Sequence, residues 1–197
     1  MDAHREFFEG LAEEWDDQQP MGRREHIRKL LIDYTQFLFD SRLSLNIGSG
    51  TGVLPEILEQ LFHGIRVVSL DIALAMLLFH RSRDKKSRIV QGDVHLLPFA
   101  SCTYDSVICH NSFPHFRNHP EALREMVRII KSGSWLVIFH DISREKVNSV
   151  HANANSQVIH HDQLPDAKRL SGLFSYCGLR NIRIEEGDDF FLAVGQK

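Results

Sequence analysis

The chain has 197 residues, 26 acidic and 23 basic side chains, a formal charge of −3 and 43% hydrophobic residues, which is one domain with room for a substantial core and no basic footprint for nucleic acid. Its charged beginning leads us to expect no secretory signal, and no apolar run approaches membrane-spanning length. Cys102, Cys109 and Cys177 fit neither a disulfide framework nor a clustered zinc site, so a cytoplasmic protein with reduced thiols is expected.

Two helices come first. Phe8, Leu11, Ala12 and Trp15 share one face, then Ile27, Leu30, Leu31, Tyr34 and Leu38 the next, with a break at Pro20-Met21-Gly22. Basic runs at Arg23-Arg24 with Arg28-Lys29, and from Arg81 to Arg88, read as solvated helix ends or loops. Leu43 to Gly52 follows, a short buried strand running directly into Gly48, Gly50 and Gly52. Alternate glycines allow positive φ and leave no Cβ to hold a nucleotide-like ligand away from the backbone. Leu54, Ile57, Leu58 and Leu61 mark the next helix, with Pro55 tolerated in its first turn. Strand, glycine turn and helix make the first unit of a doubly wound sheet, whose ligand crevice lies at the carboxyl end of that strand.

Ile65 to Leu70 predicts a second strand ending at Asp71, where an acid can accept hydrogen bonds from two ribose hydroxyls. A dinucleotide fingerprint would need its third glycine at Val53, so a dinucleotide oxidoreductase is disfavoured. A helix from Ile72 to about Arg81 and a strand at Arg88 to Gln91 lead to Gly92-Asp93, and Tyr104 to Cys109 is a fourth strand running into His110-Asn111-Ser112-Phe113-Pro114-His115-Phe116. Asn118 or His119 caps a helix with Pro120 at its start and a buried stripe of Leu123, Met126, Val127 and Ile130, stopped at Gly133. Ser134 to His140 is the fifth strand, apolar almost throughout.

Gly48-x-Gly50-x-Gly52, Asp71, the run Gln91-Gly92-Asp93-Val94-His95-Leu96-Leu97-Pro98-Phe99, and Tyr104-Asp105-Ser106-Val107-Ile108 together resemble the class I, Rossmann-like, S-adenosylmethionine-dependent methyltransferases, in their small-molecule, type 11-like branch. One departure stands at Asn46, where the family usually has Asp or Glu: an amide keeps a carbonyl acceptor but loses the charge. The resemblance implies an α/β, doubly wound, mostly parallel seven-stranded sheet of order 3-2-1-4-5-7-6 with an antiparallel last strand and an N-terminal helical lid. It implies S-adenosylmethionine held by Asn46, Gly48, Gly50, Gly52, Asp71, Ile72, Asp93, Val94 and His110, with Trp15 closing from the lid and Asp93 and Val94 facing the adenine.

Ser143 is expected to cap a short helix carrying His151, within an Asn-rich insertion that ends in His160-His161 on the substrate side. Leu170, Leu173, Phe174 and Cys177 mark the last long helix, stopped at Gly178, and the segments 182–185 and 190–194 a closing hairpin. The single domain thus divides into a lid (1–41), a cofactor-binding core (42–140), an insertion (141–163) and a closing helix and hairpin (164–197). The expected reaction is methyl transfer to a small molecule, with no nucleic-acid or membrane partner; a non-catalytic S-adenosylmethionine- or metal-binding module is the rival. With 12 histidines in the chain, His110, His115 and His140 are candidate proton acceptors, and His140, His151 and His161 candidate ligands of a divalent metal ion.

Overall fold

The computed structural model describes residues 2–38 and 40–197. Strands β1 (Leu43–Ile47), β2 (Arg66–Asp71), β3 (Arg88–Gln91), β4 (Tyr104–His110), β5 (Ile130–His140), β6 (Arg180–Glu186) and β7 (Phe191–Gln196) form one sheet in the order 3-2-1-4-5-7-6. β7 runs antiparallel between β5 and β6, and the remaining pairings are parallel. This is the expected topology. The helices are α1 (Ala3–Leu11), α2 (Arg23–Asp33), α3 (Val53–Leu61), α4 (Leu74–Arg83), α5 (His119–Ile129), α6 (Arg144–Ala152) and α7 (Ala167–Tyr176), and among the described residues none is long and apolar enough to cross a membrane.

The central strands are buried on both faces because successive side chains feed opposite cores. Val107, Cys109, Leu136 and Ile138 join one core with Leu123, Met126 and Ile129 of α5 and Leu170 and Phe174 of α7. Their neighbours Ile108, Val137 and Phe139 join the other, with Ile27 and Leu31 of α2 and Leu54, Ile57 and Leu58 of α3. A smaller cluster of Ala12, Ala73 and Met76, with Phe8, Leu11 and Trp15 packed against it, seats α1 on α4. The carboxyl ends of β1 and β4 therefore open beneath α1.

Helix ends follow local chemistry where the cap is local. Asn118 accepts from the Glu121 amide at the start of α5, Ser143 from the Lys146 amide at the start of α6, and Gly178 at φ +89° follows α7. Two boundaries differ from expectation. α5 ends at Ile129 and not at Gly133, because Ile130 is already extended and pairs with Tyr104 in β5; Gly133, at φ +79°, is a kink inside that strand where its amide donates to the Lys197 carbonyl. α4 begins at Leu74 and not Ile72, since its cap comes from far away. Ala73 offers no side-chain acceptor, and Glu9 of α1 accepts from the Leu74 and Ala75 amides at 2.8 and 2.7 Å.

Candidate active site

The turn after β1 is fixed by backbone geometry. Gly48 and Gly50 have φ of +65° and +53°, and a Cβ on Gly48 would stand 2.3 Å from the Ser112 side chain. Ser112 cannot yield easily, since its hydroxyl donates to the Ile47 carbonyl at 2.9 Å. Gly50 has open space apart from the Trp15 indole nitrogen 3.8 Å from the position of an added Cβ. The bare backbone at Gly48 and Gly50 faces a cavity of about 120 Å³. That is well under the ~300 Å³ at the low end for ligand pockets, and Phe8 and Trp15 of the N-terminal segment form part of its wall.

Asp71 closes the next strand beside this turn, almost fully buried. Its Oδ2 accepts from the Gly50 amide at 2.8 Å and its Oδ1 from the Ala73 amide at 2.9 Å. Burial pushes its pKa up to about 6 while those amides oppose the shift. A carboxylate has about two acceptor sites per oxygen, so acceptor capacity remains for a ligand. Asp93 is braced by the His95 amide at 2.9 Å, the His95 ring at 2.5 Å and Arg117 at 2.5 Å; burial raises its pKa, and these partners outweigh burial and hold it below the usual range.

Gly48, Gly50, Asp71, Ile72, Asp93, Val94, His110, His115 and Trp15 all line the cavity. Gly52 and Asn46 do not. Gly52 packs behind the turn, where a Cβ would meet the His80 ring at 2.2 Å, so the glycine is required by packing on α4. Asn46 is 1% exposed in β1, beneath the turn, and its Oδ1 has no partner among the described residues. Trp15-Asp16 ties the N-terminal segment to the turn: the Thr51 hydroxyl donates to Asp16 at 2.6 Å, and Asp16 also pairs with Arg83.

His110, at the end of β4, stacks on Phe139 with ring centroids 4.4 Å apart, and its Nε2 lies 3.4 Å from Asp141 Oδ1. That nitrogen is buried and has no hydrogen-bond partner among the described residues. Burial lowers the His110 pKa against the pull of Asp141, so the imidazole is neutral. Asp141 is itself tied to Arg23 at 2.7 Å and to the Asn111 amide group; burial works to raise its pKa, and the adjacent His110 ring together with the Arg23 guanidinium carries it well below the carboxylate range.

His140 departs from its expected place. It is 1% exposed, lies outside the cavity that holds His110, and borders a separate small apolar cavity with Leu30, Leu31 and Phe190. Its neighbour Phe139 pairs in register with His110 and shares its face of the sheet, so the alternation of the strand turns His140 to the opposite face. The set His140, His151 and His161 does not gather either: among the described residues, the group of three metal-capable side chains with donor atoms within 4.8 Å of one another is His4, His115 and Asp162. His161 instead faces His160, ring centroids 4.9 Å apart.

Sequence reasoning missed His4, Phe8, Arg23 and Arg117 as cavity residues and Asp162 beside them. Their neighbourhoods carry no local motif. Asp2 and Asp93 both pair with Arg117, linking the start of α1 to the loop after β3, a contact across more than a hundred residues that spacing cannot reveal.

Residues 45–138 match a family model described as Methyltransferase domain. The chain carries a methyltransferase domain. A demethylmenaquinone methyltransferase of Renibacterium salmoninarum is 31% identical over 134 residues, 66% of this chain and 55% of that protein. A 2-phytyl-1,4-naphtoquinone methyltransferase of Thermosynechococcus vestitus is 30% identical over 150 residues, 73% and 66% of the two chains. The chain spans about half the length of the demethylmenaquinone methyltransferases it matches. A Thermotoga maritima SAM-dependent methyltransferase superposes with a TM-score of 0.80 at 19% identity, covering 98% of this chain and 99% of that one, a likeness of fold.

The family implies S-adenosylmethionine as cofactor, and the methyltransferase domain's residues fit it. The Gly48–Gly50 backbone borders the cavity, with open space at Gly50 where a Cβ would stand, Asp71 keeps acceptor capacity for a diol, and Asp93 and Val94 border the same cavity.

Proposed function

We propose that this protein transfers the methyl group of S-adenosylmethionine to a small-molecule acceptor in the cavity between the glycine turn, α1 and the segment after β4. The observation that carries this reading is the pairing of a bare positive-φ backbone at Gly48 and Gly50 with a buried Asp71 whose oxygens are both anchored by backbone amides and still able to accept. When bound, the cofactor supplies an activated methyl group; the chain's own residues bind, orient, exclude water and move a proton.

Asp71 serves the two ribose hydroxyls, Gly48 and Gly50 admit the ligand against the backbone, and Ile72, Asp93 and Val94 take the adenine side. Phe8, Trp15 and Phe116 make the cavity wall apolar, which excludes water and sharpens the fields of the few polar groups left inside. His110 is the proton acceptor when the nucleophile carries a proton: it borders the cavity, is held neutral by burial, and has Asp141 beside it to stabilise the imidazolium that forms. Asn46 lies buried beneath the turn and outside the cavity lining.

The acceptor is a small molecule, as it is for the quinone methyltransferases this chain is similar to. The net charge of −3 argues against a nucleic-acid substrate, and the free thiols Cys102, Cys109 and Cys177 argue for a reducing, cytoplasmic setting. Incubation of the protein with S-adenosylmethionine and a panel of quinone, amine, thiol and carboxylate acceptors should produce S-adenosylhomocysteine above the acceptor-free rate with at least one of them. Tight binding with no turnover across the panel would point instead to a non-catalytic binding module.

A further inference from the structure

Three segments far apart in sequence bring nitrogen and oxygen donors together beside the cavity. His4 Nε2 of α1 lies 3.0 Å from Asp162 Oδ2 and 3.2 Å from Oδ1, and His115 Nδ1, in the turn after β4, lies 2.7 Å from the same Oδ2. His151 of α6 stands next to them, its ring 4.8 Å from that of His115 and its Nδ1 2.9 Å from the Asp162 carbonyl oxygen. His4 and His115 border the same cavity as Gly48 and Asp71.

We propose that His4, His115 and Asp162 hold a divalent transition-metal ion of the zinc class at the acceptor end of this cavity. Two imidazoles and one carboxylate are a donor set that suits zinc and its neighbours and not the hard ions, which require oxygen. Ligands at 2.0 to 2.2 Å around a tetrahedral ion stand about 3.3 to 3.5 Å apart. The observed separations at Asp162 Oδ2, 3.0 Å from His4 and 2.7 Å from His115, are shorter by about 0.3 to 0.8 Å, so the donors move outward to admit the ion, and His4 sits on the peripheral α1. The His151 ring donates from Nδ1 to the Asp162 carbonyl and so steadies the carboxylate-bearing segment. Three protein ligands leave a fourth position open, where an acceptor heteroatom can be held and made more acidic. The ion would also join α1 to the core, so it would close the cavity as it forms the site.

This deepens the methyl-transfer reading and rests on it for the role of the ion, while the ion site itself is measurable alone. Protein made without an affinity tag and stripped of metal is titrated with Co²⁺, following visible d–d absorption, and the bound cobalt is then displaced with Zn²⁺. The wild type should take up one equivalent; His4→Gln, His115→Ala and Asp162→Asn should each weaken cobalt binding by at least about tenfold, and His161→Ala, outside the set, should not. Circular dichroism checks that the variants are folded, and His4→Gln on the peripheral helix serves if the others are not. No visible band at stoichiometric cobalt, or folded variants that bind as tightly as the wild type, would overturn the proposal. Cobalt uptake without binding of S-adenosylhomocysteine would leave the ion site standing and sink the methyl-transfer reading; the reverse result would do the opposite.

Discussion

Glu9→Ala should loosen α1 from the body of the protein without unfolding it. The first amides of α4 have no intrahelical partners, Ala73 cannot cap them, and both oxygens of Glu9 reach across from α1 to accept from Leu74 and Ala75 at 2.8 and 2.7 Å. Loss of a capping side chain costs about 0.5 to 2 kcal/mol, and a carboxylate at the positive end of a helix dipole adds roughly 0.3 to 1 kcal/mol. Glu9 is partly exposed and also lies 3.6 Å from Arg5, so about 1 to 2 kcal/mol is the appropriate estimate for docking of α1. That raises the population with α1 undocked about 5- to 30-fold. The apolar contacts of Phe8, Leu11 and Trp15 with the small cluster on α4 remain, and the two main cores are untouched. Native-state hydrogen exchange should therefore quicken in residues 3–11 and 74–76 by that factor while the central strands keep their protection. Unchanged exchange in both segments would refute the idea that Glu9 latches the lid.

Other expectations follow from the same contacts. Saturating S-adenosylhomocysteine should slow exchange around Trp15, since the wall it forms closes on the ligand; equal rates with and without ligand would contradict a lid. Asp71 has a folded pKa of about 6, above its ordinary 3.8, so its ionisation costs folding stability as pH rises through that window and the cost is absent below it; ligand affinity should run the other way, falling as pH drops from about 7 to 5, and calorimetry on Asp71→Ala should show that component of the pH dependence removed. Gly48→Ala forces a Cβ to 2.3 Å from Ser112 at a positive φ, so binding of S-adenosylhomocysteine should be lost and the melting temperature lowered. Arg23→Ala leaves Asp141, with a 5% exposed side chain, short of its ion-pair partner and should destabilise the protein by about 3 kcal/mol in denaturant titration.

The sheet and much of the cavity lining were legible because their determinants are local. Apolar runs bounded by Gly and Asp mark the strands, and Gly48-x-Gly50 with Asp71 lies within a single strand-turn-helix-strand unit. Where a boundary was misplaced, the deciding partner was remote: Glu9 sets the start of α4 from 65 residues away, and strand pairing with Tyr104 draws Ile130 out of α5. The histidines were half legible. Topology put His110 and His115 at the correct edge, but the two-residue alternation of β5 carries His140 away from the cavity, and no spacing in the sequence joins His4, His115 and Asp162. Gly52 shows the opposite limit, a motif glycine whose observed role is to make room for His80.

The central claim is that Asp71 and the glycine turn hold S-adenosylmethionine, and isothermal titration with S-adenosylhomocysteine tests it most directly. The wild type should bind one equivalent, and Asp71→Ala, shown to be folded by circular dichroism, should bind about tenfold to a hundredfold more weakly, the equivalent of the roughly 1.5 to 3 kcal/mol that hydrogen bonds to a charged group contribute. Wild-type affinity in folded Asp71→Ala, or no binding by the wild type, would contradict the account.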